Sequence, residues 1–230
     1  MAERIEEDQR EIRARHQENE ALLLNILPRP IATRLKQGEG QIADAFPQVG
    51  ILFADLVEFT KLSSVTHPTE LVALLNELFT EFDELMTRRG LEKIKTIGDC
   101  YMAVCGVPEP VDAPAHAMAE AALALQKSLA RFNDRTGRSF QLRIGLNCGP
   151  VVAGVIGSSK FIYDLWGDTV NMASRMESTG QPGTIQLTEA MAEAIKDRFD
   201  VELRGTFDIK GKGPTSVWIL RGTKGQPGAL

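Results

Sequence analysis

Residues 92–103 read E-K-I-K-T-I-G-D-C-Y-M-A, from Glu92 to Ala103. Two β-compatible runs, 94–97 and 100–104, are joined through Gly98-Asp99. A Gly/Asp pair suits a tight turn, so the stretch predicts a β-hairpin with Lys95 and Asp99 near its tip. A solvated turn with a surface lysine would give the same local pattern. What argues for more is a second aspartate upstream and a polar helix downstream, each in a fitting context.

Upstream of the hairpin, the apolar run 49–54 has strand length and ends at Asp55. Pro68 near a helix start, followed by Leu71, Leu74, Leu75, Leu78, Phe82 and Leu85, predicts an amphipathic helix ending at Gly90. Downstream, Met118, Ala122, Leu125, Leu129 and Phe132 define a second such helix, which stops by Gly137. Segments 140–147 and 151–156 predict another hairpin, turned at Gly149-Pro150. A strand follows at 161–166, and Asp168 is placed to cap a helix running to Gly180. Strand 184–187, helix 189–196 and two late strands around 201–204 and 217–220 complete the chain. Strand, helix, hairpin, helix, strand is the order of a ferredoxin-like α+β sandwich, a βαββαβ core, here with C-terminal additions and a preceding helix. That fold hosts many functions and decides none of them.

The 230 residues suit one globular domain with an appendage, and a hydrophobic content of 43% is enough for a packed core. A net charge of −5 argues against a nucleic-acid partner held by phosphate contacts. Cys100, Cys105 and Cys148 show no C-x-x-C spacing, so a reducing, cytoplasmic setting is expected. Neither a signal peptide nor a bilayer-length apolar run is apparent. Residues 1–27 read as a charged helix in which Ile5, Ile12, Asn19 and Ile26 repeat at heptad spacing. The matching positions Asp8, Arg15 and Leu22 are mostly polar, so a coiled-coil seam and a solvated helix both remain open. Pro28 and Pro30 break this helix, and a short helical piece at 31–37 runs into Gly38 and Gly40.

If the strands bearing Asp55 and Asp99 are neighbours, both carboxylates reach one edge of the sheet. Mg²⁺ prefers sites of one or two carboxylates completed by substrate phosphates and water. Two such ions clamp the attacking and leaving oxygens of an in-line phosphoryl displacement. After Asp55, segment 56–60 turns toward a helix whose free N–H groups would suit phosphate oxygens, although Asp55 as a simple helix cap fits equally. On the helix opened by Asp168, Asn171 and Arg175 lie at i and i+4, on one face. Arg grips phosphate through its planar fork, and Asn orients a hydroxyl. Arg143, on an otherwise apolar strand, and Lys210, in F-D-I-K-G-K-G, are further candidate phosphate ligands; solvated or snorkelling cations are the alternative. The glycine spacings match neither a dinucleotide fingerprint nor a P-loop. His16, His67 and His116 have no metal spacing, and no Ser or Cys has a nucleophile-elbow context.

Taken together, the motifs resemble the class III nucleotidyl cyclases. F-A-D-L-V-E-F-T, E-K-I-K-T-I-G-D-C-Y-M, L-R-I-G-L-N-C-G-P-V and Y-D-L-W-G-D-T-V-N-M-A-S-R-M-E are similar to that family's signatures in order, and F-D-I-K-G-K-G fits as well. Upstream, L-L-L-N-I-L-P-R-P-I-A-T-R-L-K resembles the helix-and-linker element that transmits signals to such domains. The resemblance implies a division into a helical signalling and dimerisation element with linker (1–45), a catalytic domain (46–222) and a flexible tail (223–230). It implies that Asp55 and Asp99 ligate two Mg²⁺ or Mn²⁺ ions, and that Lys95 and Asp164 select the base in the pairing typical of adenylyl cyclases. It further implies that Asn171 orients the ribose, that Arg175 meets the α-phosphate, and that Arg143 and Lys210 hold the β- and γ-phosphates. No position departs from the family's pattern. A homodimer with two shared interfacial sites, an ATP substrate and an upstream sensor or membrane domain in a longer protein are the corresponding expectations.

The nearest rival is a guanylyl cyclase. Adenine offers an acceptor at N1 and a donor at N6, matching a Lys donor and an Asp acceptor, whereas guanine reverses both. A catalytically dead regulatory or dimerisation module should have lost one of Asp55, Asp99, Asn171 or Arg175, and all four are present. A palm-type polymerase would share the metal chemistry but calls for a basic channel that an acidic chain does not offer.

Overall fold

A computed structural model of the chain describes residues 2–57, 59, 62, 64, 66–157 and 161–225, with residues 2–8 described by backbone alone. In chain order the elements are α1 (Ala2–Leu24), α2 (Arg29–Lys36), β1 (Ile42–Leu56), α3 (Pro68–Arg88), β2 (Glu92–Ile97), β3 (Cys100–Cys105), α4 (Pro114–Thr136), β4 (Leu142–Ile156), β5 (Ile162–Trp166), α5 (Asp168–Ser178), β6 (Ile185–Thr188), α6 (Glu189–Ile195), β7 (Phe199–Ile209) and β8 (Gly213–Thr223). Two compact units result: residues 45–152 with 166–230, and residues 1–44 with 153–165.

In the larger unit, β3 pairs antiparallel with both β1 and β2, β4 runs parallel to β6, and β8 lies antiparallel between β6 and β7. The sheet order among the described residues is β2-β3-β1-β4-β6-β8-β7. The order β4-β1-β3-β2 with α3 and α4 as crossovers is the ferredoxin-like α+β core, and β6 to β8 are the C-terminal additions. Period-2 alternation sends Leu52, Ala54 and Leu56 of β1, Tyr101 and Ala103 of β3, and Leu142, Ile144 and Leu146 of β4 into one core. The helices supply the other half. α3 starts with Pro68 in its first turn and buries Leu78, Phe79, Phe82, Leu85 and Met86, at the 3.6-residue spacing of the sequence. Phe82 meets Tyr101 edge-on, with ring centroids 5.7 Å apart. Each fully buried side chain of this size contributes about 1.5–3 kcal/mol.

The residues between those core positions, Asp55 on β1, Cys100 on β3, and Arg143, Gly145 and Asn147 on β4, belong to the opposite face of the sheet. Helix α5 packs there. This face carries the candidate chemistry.

In the smaller unit α2 buries Ile31 and Ala32. Its Arg34 donates from Nε and Nη2 to the Glu39 carboxylate at 2.7 and 2.6 Å, and from Nη1 to Asp44. Lys36 binds Glu20 of α1 at 2.9 Å, and β5 pairs with β4 off the main strand order. Ile12, Leu22 and Ile26 on or next to α1 are exposed. No helix of the described residues is long and apolar enough to cross a membrane.

Four sequence expectations are corrected. Gly149-Pro150 does not turn: β4 continues from Leu142 through to Ile156. The Thr169 hydroxyl donates to the Pro150 carbonyl at 2.6 Å, and a Cβ on Gly149 would lie 3.0 Å from that hydroxyl. The glycine therefore serves close approach of α5, not chain reversal. Asp168 is not the cap of α5: Gly167 takes that position, and the Asp168 carboxylate in the first turn accepts from Lys212 Nζ at 2.6 Å. The late strands are far longer than their apolar cores, because β7 and β8 form one extended hairpin turned at residues 210–212. In the same way β1 begins at Ile42, ahead of the run 49–54.

Candidate active site

The hairpin at residues 92–103 forms as its sequence predicts. Ile97 pairs with Cys100 across the turn, and Gly98, the first central residue, has φ +64, the position a type II′ turn gives to glycine. In the adjoining ladder Asp55 of β1 stands opposite Cys100 of β3, which brings it beside Asp99. The strands bearing Asp55 and Asp99 are therefore neighbours, and both carboxylates come to one edge.

Arg143 meets this pair from the next strand. Its Nη2 donates to Asp55 Oδ2 at 2.6 Å, and its Nε lies 3.3 Å from Oε1 of Glu177 on α5. The latter contact is an ion pair without hydrogen-bond alignment, and among the described residues neither buried atom has a hydrogen-bond partner. Burial, and then the charge of Asp55, push the Glu177 carboxyl up to about 7, against the pull of Arg143. Burial chiefly, with Asp55 adding to it, also raises Asp99. The same acidic field, after burial, pushes the Cys100 thiol up to about 12 and keeps it protonated.

Helix α5 is fixed to the sheet by contacts along its length. Asn147 Nδ2 donates to the Thr169 carbonyl at 3.0 Å, and its Oδ1 accepts from Thr188. A Cβ on Gly145 would fall 2.1 Å from Glu177 N and 2.4 Å from the Ala173 carbonyl, so helix and strand touch through backbone. With Thr169, Met172, Ala173, Met176 and Glu177 buried, Asn171 and Arg175 share the exposed face. Lys210 is exposed at the tip of the β7–β8 hairpin, which Lys212 ties to the start of α5.

Lys95 lies half-buried on β2, just past an irregularity in the ladder between Lys93 and Lys95. Asp164, on β5 in the other unit, is half-buried with its Oδ1 accepting from Leu165 N at 2.9 Å. The phosphate-binding segment expected at 56–60 includes residues 58 and 60, which lie outside the described residues, as do 226–230 of the expected tail. Reading from the sequence missed Glu177 and Lys212. Glu177 closes the motif that contains Asn171 and Arg175, but two places after a surface Arg it carries no burial signal that the sequence alone displays.

The donor set fits a hard cation: Asp55 on β1 and Asp99 in the turn before β3, raised first by burial and then by the Asp55 charge, would gain from a positive ion between them. Among the described residues no group of three His, Cys, Asp or Glu side chains could hold a metal alone. An ion here would therefore complete its shell with substrate and water.

The family model of the adenylate and guanylate cyclase catalytic domain matches residues 42–222, and the chain belongs to that family. An adenylate cyclase of Mycobacterium tuberculosis is 49% identical over 212 residues, which cover 92% of this chain and 48% of that protein, so the chain spans about half of that relative. The guanylate cyclase domain of RhGC from Catenaria anguillulae, solved with GTP, is similar with a TM-score of 0.76 at 38% identity, covering 79% of this chain and 100% of that one. The adenylyl cyclase CyaB from P. aeruginosa is similar with a TM-score of 0.74 at 26% identity, over 81% and 99% of the two chains.

Proposed function

We propose that the protein is an adenylyl cyclase that converts ATP to 3′,5′-cyclic AMP and pyrophosphate. The observation that carries this reading is the meeting of Asp55, Asp99 and Arg143 on one edge of the sheet, with 2.6 Å between Arg143 and Asp55. The ribose 3′-oxygen attacks the α-phosphorus in line, a new P–O bond forms, the bond to pyrophosphate breaks, and the proton of the 3′-hydroxyl is released to water. Two Mg²⁺ or Mn²⁺ ions held by Asp55 and Asp99 would, when bound, make the 3′-hydroxyl more acidic and neutralise the triphosphate. Asn171 orients the ribose, and Arg175 stabilises charge growing on the α-phosphate. Arg143 and Lys210 hold the β- and γ-phosphates; a guanidinium has several donors, and Asp55 occupies only part of this fork.

Base choice rests on chemistry. The Lys95 ammonium donates to adenine N1, and the Asp164 carboxylate accepts from the N6 amine. Guanine would leave both groups mispaired. The second reading is a guanylyl cyclase, favoured by the likeness to the GTP-bound domain of RhGC from Catenaria anguillulae. Steady-state cyclisation of ATP and of GTP, each with Mg²⁺ and with Mn²⁺, separates the two. Wild type should prefer ATP. Lys95→Glu combined with Asp164→Cys should lower ATP turnover by about 10²-fold or more. Undiminished ATP turnover in that variant would remove both residues from the base pocket.

A further inference from the structure

We propose that Glu177 is a positioning residue for Arg143, holding its guanidinium in place while Asp55 exchanges the arginine for other partners. The inference rests on the cyclase reading, in which Arg143 binds the polyphosphate. The two carboxylates around Arg143 play unlike parts. Asp55 takes the short bond at 2.6 Å, yet it is also a proposed cation ligand, and a carboxylate engaged by a divalent ion has less charge to offer a guanidinium. Arg143 must then be held from elsewhere if it is not to swing into solvent, since its side chain is about a third exposed, at 32%.

Glu177 is built for that task. Its side chain is only 10% exposed, and its Oε1 faces Arg143 Nε at 3.3 Å with no other partner among the described residues. Its main chain cannot drift, because α5 touches β4 at Gly145 and is bonded to it through Asn147 and Thr169. Holding a carboxylate in this position is unfavourable: burial raises its proton affinity, and Asp55 and Asp99 repel it. Buried ion pairs of imperfect geometry are poor sources of stability. A role in aligning Arg143 accounts for a charge that packing alone would replace with an apolar side chain.

The test is a mutant cycle read by binding as well as turnover. Pyrophosphate affinity is measured by calorimetry with Mg²⁺, alongside kcat and KM for ATP, in wild type, Glu177→Gln, Glu177→Asp, Arg143→Ala and Glu177→Gln/Arg143→Ala. Glu177→Gln should weaken pyrophosphate about ten-fold and raise the KM for ATP comparably, with kcat changed far less. Glu177→Asp, which keeps the charge, should fall between Gln and wild type. In the Arg143→Ala background Glu177→Gln should add nothing. Wild-type affinity in Glu177→Gln, or an equal loss with and without Arg143, would overturn the proposal, since a purely structural role is indifferent to Arg143. Failure of the cyclase reading is distinct: wild type would then cyclise neither ATP nor GTP.

Discussion

Three carboxyl groups and one guanidinium define the candidate site, and their protonation ties function to pH. Glu177 has its carboxyl raised from the ordinary 4.5 to about 7, first by burial and then by Asp55. Between those values the folded chain binds a proton that the unfolded chain has already released. Stability from this group is therefore highest below the lower value, falls as pH rises through the window, and stays reduced above it. Glu177→Gln, which has no proton to lose, should escape that fall. The difference in thermal midpoint, variant minus wild type, should become more positive from about pH 5 to about pH 8. A flat or declining difference would show that Glu177 ionises normally in the fold. The same variant is expected to lose pyrophosphate affinity, so a protein at least as stable as wild type but weaker in binding is the predicted phenotype.

Strand β4 and helix α5 hold that cluster together, and Gly145 is the contact that lets them. Its missing Cβ would meet backbone atoms of α5 at 2.1 and 2.4 Å, which no rotamer change relieves. Gly145→Ala should push the helix outward, lowering stability by about 1–3 kcal/mol or more in urea titrations and reducing cyclase turnover with it. Unchanged stability and turnover would mean that the helix seats differently. How much of this was legible beforehand follows from the range of the signals. The 92–103 hairpin and the spacing of Leu78, Phe82 and Leu85 are local patterns, and they form as read. Asp55 beside Asp99 required only that their two strands pair. Gly149-Pro150 carries a turn's composition, but the partner that decides its conformation is Thr169, far along the chain. Glu177 was hidden for a related reason: a glutamate two places after a surface arginine looks solvated until Gly145 shows that α5 lies flat on the sheet. The length of β7 and β8 was masked by composition: Phe207 and Ile209 alternate toward the core, but Gly205, Asp208, Gly211, Gly213 and Pro214 around them carry the composition of a loop.

The arrangement on α5 bears on how many copies of the chain make a working site. Glu177 turns inward to Arg143 of its own chain, which holds Asp55, whereas Arg175, two residues earlier and about 200° away around the helix, is exposed with Asn171. Side chains on opposite faces of one helix do not reach one substrate. We infer that a homodimer pairs the Asp55 and Asp99 of one protomer with the Asn171 and Arg175 of its partner, giving two shared sites. Its test uses two inactive variants, Asp55→Ala and Asn171→Ala. In a mixed dimer both lesions fall in one site and the other site is intact. Equal mixing with free exchange makes about half of the dimers mixed, each with one of its two sites working, so about a quarter of wild-type activity should return. Subunit exchange is verified by pulling down a tagged variant and detecting its untagged partner. Co-expression removes any dependence on slow exchange. If mixed dimers form and activity stays at the level of the separate variants, each site is assembled within a single protomer, and the outward face of α5 serves another purpose.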